Sequence, residues 1–95
     1  MEIVFEWDKN KAKINLRKHN VDFAEAKTVF YDPLSKIFDD EFHSNGEKRE
    51  IIIGHSGKGR LLIVIFTERK QNLIRLISAR TATVKERQDY EKEVR

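Results

Sequence analysis

Arg60-Leu-Leu-Ile-Val-Ile-Phe-Thr-Glu-Arg69, a polar turn at Lys70-Gln71-Asn72, and Leu73-Ile-Arg-Leu-Ile-Ser-Ala-Arg80 form the stretch whose reading decides the fold. The run Leu61 to Phe66 is apolar throughout and rich in β-branched residues. It is too short for a globular helix and too apolar for a one-sided edge strand, so it reads as a central strand covered on both faces. Leu73 to Arg80 reads as its antiparallel partner across a short loop. The strands end in polar groups: Thr67, Glu68 and Arg69 on one, Ser78 and Arg80 on the other. In an antiparallel pair these two ends lie apart.

Working backwards, Arg49 to His55 is a third strand of this sheet, joined through the tight turn Ser56-Gly57-Lys58-Gly59. Leu34 to Phe38 is another strand. Between them, Asp39 to Lys48 is a polar loop turning at Asn45-Gly46. Ile3, Phe5 and Trp7 alternate with Val4 and Glu6 in a first short strand. Asp8 caps a helix from Lys9 to His19, which Asn20 ends in a left-handed conformation. Asp22 caps a second helix running to about Tyr31, with Glu25 three residues on, and Asp32-Pro33 breaks it. Working forwards, Thr83 and Glu86 form a capping box for a last helix carrying Arg87 and Tyr90. The order is βααββββα. The predicted fold is α+β: one domain, residues 1–95, with a four-to-five-stranded, mainly antiparallel sheet carrying the helices on one side.

Composition narrows the function. The chain has 95 residues, no cysteine and a net charge of +3. Without cysteine there is no disulfide framework and no thiolate zinc site. No apolar run approaches the roughly 20 residues that cross a bilayer. Met1-Glu-Ile-Val-Phe-Glu lacks the basic and apolar regions of a signal peptide, so a cytoplasmic location is expected. Between Lys48 and Arg80, eight cations face two carboxylates, Glu50 and Glu68. This makes the sheet the expected basic surface, a footprint for a polyanion.

Other chemistries fit poorly. His19, His43 and His55 lie in separate elements with no ligand spacing; Asp39-Asp40-Glu41 with His43 is a weak cation cluster. Gly54 to Gly59 has the wrong spacing for a phosphate loop, and no helix follows it. Ser56, His55 and Asp39 make no triad, because neighbouring strand residues point to opposite faces. No metal or other cofactor is expected. What remains suits metal-free RNA cleavage: the 2′-hydroxyl is deprotonated, the phosphorane charge stabilised and the 5′-oxygen protonated. Arg69 and Arg80 are the phosphate-binding candidates, with Glu68, His19 and Tyr90 for proton transfer. Lys18, Arg49, Arg75 and Ser78 are further RNA contacts. Each has a structural alternative: cross-strand ion pairs for Arg75 and Arg80, a favourable helix-terminal charge for His19, packing for Tyr90. The rival class is a non-catalytic basic module that binds RNA or a protein.

Several stretches together resemble the BrnT family of toxins from type II toxin–antitoxin systems. They are Phe5-Glu-Trp7-Asp8 with Lys11, Asn15 and Lys18-His19; Phe23-Ala-Glu-Ala26 with Val29-Phe30 and Asp32-Pro33; Arg49 with Ile53-Gly54; Thr67-Glu68-Arg69; Ile77-Ser78-Ala79-Arg80; and Glu86-Arg87 with Tyr90. The resemblance implies a RelE-like fold and a ribonuclease that halts translation. It also implies neutralisation by a BrnA-type antitoxin, with operator DNA bound only through the toxin–antitoxin complex. The chain departs from the family pattern at Asn20, usually Gly, and at Phe66, often His.

Overall fold

The cap at Asp8 forms as its position predicts: its carboxylate accepts the amides of Asn10 (2.8 Å) and Lys11 (3.2 Å). In the computed structural model, which describes residues 2–41 and 46–94, this starts α1 at Lys9–His19 after the short strand β1 at Val4–Glu6. Asn20 ends α1 at φ 57°, and its amide donates to the Leu16 carbonyl. The next helix is shorter than its periodicity suggests. Only α2, Phe23–Ala26, is α-helical, and Lys27–Tyr31 tightens into a 3-10 helix. Then come β2 (Lys36–Asp39), β3 (Glu50–His55), β4 (Leu61–Lys70), β5 (Leu73–Thr81) and α3 (Val84–Glu93). The predicted Asn45-Gly46 turn lies partly outside the described residues.

The strands form one sheet in the order β1-β5-β4-β3-β2. β4 is its middle strand, as its continuous apolar run requires. Two features differ from expectation. β1 runs parallel to β5, pairing Val4 with Leu73 and Glu6 with Arg75, so the sheet is mixed. The helices also occupy both faces. On one face, Val21, Phe23, Ala26 and Val29 pack on Ile52, Leu62, Val64 and Leu76. On the other, Tyr90 of α3 packs on Ile53, Leu61 and Ile63. Neighbouring residues of β4 thus serve opposite cores, and burying each such side chain is worth roughly 1.5–3 kcal/mol. Phe66 falls on the α2 face, its ring 4.9 Å from that of Phe30.

Two contacts set how the helical segment sits on the sheet. Gly54 is bare because the chain crosses it closely: a Cβ there would lie 2.9 Å from the Ser35 Cβ and 3.0 Å from the Asp32 carboxylate. On the opposite side, β1 is too short to cover all of β5, and buried Asn15 completes the edge. Its amide nitrogen donates to the carbonyls of Ala79 (2.8 Å) and Val21 (2.9 Å), and its oxygen accepts the Ala79 amide (3.0 Å). One side chain thereby stands in for a strand. An unsatisfied buried polar group costs roughly 1–3 kcal/mol, so Asn15→Leu is expected to lose about 2–4 kcal/mol of stability. Denaturant unfolding measures this; a loss below about 1 kcal/mol would show that the Ala79 edge finds another partner.

Candidate nucleic-acid interface

Strand register decides which polar residues of β5 share a surface. Arg75, Ser78 and Arg80 pair with Thr67, Ile65 and Ile63 of β4. Those partners alternate along β4, so all three polar residues lie on one face, the face that α3 covers in part. Arg75 and Arg80 are four β4 residues apart in register, about 13 Å along the strand. Between them the pairing slips, leaving Ile77 without a partner on β4. Such a bulge bends a strand and re-aims its side chains. Here it sits where α1 passes, and Ile77 and Ser78 line a groove of about 170 Å³ with Lys11, Ile14, Asn15, Lys18 and His19. The structure thus brings His19, Lys18 and Ser78 together from elements far apart in sequence.

The arginines are less free than their sequence positions suggest. Arg80 forks onto Glu86, Nη1 to Oε1 at 2.7 Å and Nη2 to Oε2 at 2.8 Å. Those bonds chiefly hold the Glu86 pKa at about 2, against the cost of its burial, and the Thr83 amide adds to the effect. Glu86 also closes the predicted capping box with Thr83. Arg80 therefore fastens the start of α3 to β5 and is not an open phosphate fork. At the other end, Arg75 lies 2.9 Å and Arg69 3.9 Å from Glu6. Two guanidinium groups share one carboxylate there, leaving an excess positive charge. Arg69 and Arg80 lie six β4 residues apart in register, about 20 Å, and do not form one site.

Three expected site residues fall elsewhere. Glu68 pairs with Ile74, on the face opposite Thr67, and accepts the Asn72 amide at 3.2 Å. It shapes the β4–β5 turn. Tyr90 is buried, its ring 5.8 Å from that of His55, and its hydroxyl donates to the Leu34 carbonyl at 3.1 Å. Burial first, then the charge of Asp32, pushes its pKa up and makes it a weaker acid. Burial would also raise the Asp32 carboxyl, but amide bonds from His55 and Leu34 prevail and lower it. Arg49 precedes β3, where its carbonyl accepts the Asp40 amide, two strands away from β5. Of the weak cation cluster, His43 lies outside the described residues, and Asp39 is 3.5 Å from Lys48.

The sequence reading also left part of the positive surface out. In the basic stretch, Lys48, Arg60, Arg69, Arg75 and Arg80 all have carboxylate partners. Helix α1 carries Lys9, Lys11, Lys13, Arg17 and Lys18 with no acidic residue. Among the described residues, none of these five forms an ion pair within 4 Å. Five cations without an acid in an 11-residue helix were visible as a charge run. The absence of an ion pair to any of them among the described residues was not.

Comparison with known proteins identifies the family and the fold. Residues 7–86 match the model of a family described as the ribonuclease toxin, BrnT, of type II toxin–antitoxin systems. The chain belongs to the BrnT family. A search of curated proteins finds no match. The crystal structure of the Brucella abortus ribonuclease toxin BrnT superposes with a TM-score of 0.63 at 27% identity, covering 87% of this chain and 97% of that one. This BrnT-family chain is therefore a ribonuclease toxin of α+β fold with a five-stranded mixed sheet. Among the described residues, no helix is long and apolar enough to cross a membrane.

Proposed function

We propose that the chain is a metal-independent endoribonuclease whose RNA lies along the exposed polar side of β5 and against α1, and that it inhibits translation by cutting RNA. The observation that carries this reading is the groove in which His19 and Lys18 meet Ser78 beside the β5 bulge. Lys11 and Lys18 neutralise phosphates entering the groove, and Arg75 with Arg69 holds the strand farther along. His19 takes or returns the proton. Arg80 acts through Glu86 by fixing α3 at the border of this surface. In the family setting, a BrnA-type antitoxin neutralises the chain, and the complex reaches operator DNA through that partner. Inhibition of translation, in this reading, puts the action in the cytoplasm.

The test is cleavage of RNA by the purified chain in excess chelator. Cleavage that persists supports the metal-independent reaction; tight, salt-sensitive binding without cleavage supports a non-catalytic RNA module instead. Lys11→Glu with Lys18→Glu is expected to weaken RNA binding about tenfold or more and to flatten its salt dependence by about two released counterions. An unchanged salt slope would remove α1 from the interface.

A further inference from the structure

A second groove, of about 270 Å³, lies on the α3 side of the sheet. Its floor is apolar: Phe38, Ile51, Ile53 and Ile63. The α3 wall has the opposite character to α1. Glu86, Asp89 and Glu93 face the groove along one stripe of the helix. Among the described residues Arg80 is the one lining cation, so that part of the lining carries a net charge of −2 in a chain of net +3. Arg80 holds Glu86 and Lys85 holds Asp89 at 3.1 Å, while Glu93 has no ion pair among the described residues. A polyanion is repelled from this wall, so the groove is not a continuation of the RNA surface.

The groove opens onto a sheet edge. Among the described residues β2 is the outermost strand on that side, and one row of its backbone groups lacks a strand neighbour there. Phe38 is 47% exposed towards the groove, and Ile37 is 54% exposed on the other face. Folded proteins normally cover or charge such an apolar edge, because it templates pairing with another chain. The groove also ends at Arg80 and Glu86, which border the β5 surface.

We infer that this groove and the free edge of β2 seat an extended, net-basic segment of the protein antitoxin. Its apolar side chains rest on Phe38 and Ile53, and its cations face Glu93 and Asp89. Bound there, the segment reaches the Arg80 end of the proposed RNA path and obstructs it. The inference rests on the antitoxin reading above and adds the surface and the chemistry of the contact.

The experiment uses the full chain and, as probe, the antitoxin translated from the adjacent reading frame, with binding measured by calorimetry. Phe38→Ser and, separately, Glu93→Lys are expected to weaken antitoxin binding by about tenfold or more while RNA cleavage stays within about twofold. Lys13→Glu on α1 is expected to leave antitoxin binding unchanged. Glu93 is exposed at a helix end, so its variant tests the groove even if Phe38→Ser folds poorly. Antitoxin affinity within about twofold of the unaltered chain for Glu93→Lys and folded Phe38→Ser would overturn the inference. So would variants whose RNA affinity falls in place of antitoxin affinity. Sedimentation showing that Phe38→Ser splits a dimer would assign the edge to a second copy and overturn it likewise. If the unaltered chain binds no antitoxin, the partner reading itself fails, and this inference with it.

Discussion

Alanine in place of His19 is expected to lower the single-turnover rate of RNA cleavage by about 10²–10⁴-fold, the usual contribution of a positioned acid or base. RNA affinity is expected to stay within about threefold, because the neighbouring lysines carry the electrostatic attraction. The position explains the expectation. His19 closes the last turn of α1 beside Arg17 and Lys18. It shares its groove with Lys11, Lys18 and Ser78, so in the proposed site a phosphate held by the lysines would lie beside the imidazole. The alternatives are placed differently. His55 is on β3, two strands from β5, with its ring against Tyr90. Phe66, where relatives resembling this chain often have His, is buried against Phe30 and faces away from the β5 stripe. Partial recovery of the His19→Ala rate by added imidazole would separate proton transfer from positioning. Cleavage by the alanine variant within about threefold of the original would remove His19 from the chemistry.

Arg60→Ala is expected to cost about 2–4 kcal/mol, because it leaves the buried Glu25 carboxylate without its partly exposed partner. That is a large share of the roughly 5–15 kcal/mol that stabilises a domain. Glu25 has a side chain only 2% exposed. Arg60 donates to it through Nε at 2.9 Å and Nη2 at 2.5 Å, and Ser56 through Oγ at 2.7 Å. Arg60 also reaches the Asn20 carbonyl at 3.0 Å, so one guanidinium ties the β3–β4 turn to α2 and to the end of α1. Without it, Glu25 keeps a buried charge held by the Ser56 hydroxyl and the more distant Lys58. The variant is expected to unfold at lower denaturant concentration, and Glu25→Gln in the same background to recover part of the loss. The pH dependence has a defined sign. The Arg60 hydrogen bonds chiefly hold the Glu25 pKa below its ordinary 4.5, against burial. Stability from this pair is therefore fully present above that value and is lost as pH falls through the lowered one. Arg60→Ala should lose less stability on acidification than the unaltered chain. Equal acid sensitivity of the two proteins would contradict the assignment.

Glu25 also shows where local reading stops. Its spacing from Asp22 suggests a capping box, and the Asp22 half forms, accepting the Glu25 amide at 2.6 Å. The Glu25 carboxylate, however, goes to a strand turn that begins 31 residues later in the chain. A capping box depends on four consecutive residues; an ion pair between elements depends on which elements the fold brings together.

What the sequence alone determined is whatever rests on period, caps and local sterics. That includes the central strand at Leu61 to Phe66, the α1 boundaries at Asp8 and Asn20, the Thr83–Glu86 box, and a run of motifs sufficient to suggest the family. Only the tertiary structure decided the parallel pairing of β1, the placement of α3 across the sheet from α1, and the use of Asn15 as a substitute strand. It also decided which charges are spent on each other. Arg80, Arg75 and Arg60 count towards the basic stretch along the chain, with pairing or phosphate binding both open to Arg75 and Arg80, but each meets a carboxylate from a distant or separately folded element. Lys11, Lys18 and His19 form no ion pair within 4 Å among the described residues, because the carboxylate at α1, Asp8, is taken up capping the amides of Asn10 and Lys11. Charge is a property of a residue, whereas neutralisation is a property of a distance, and distances between elements are fixed only when the chain closes on itself.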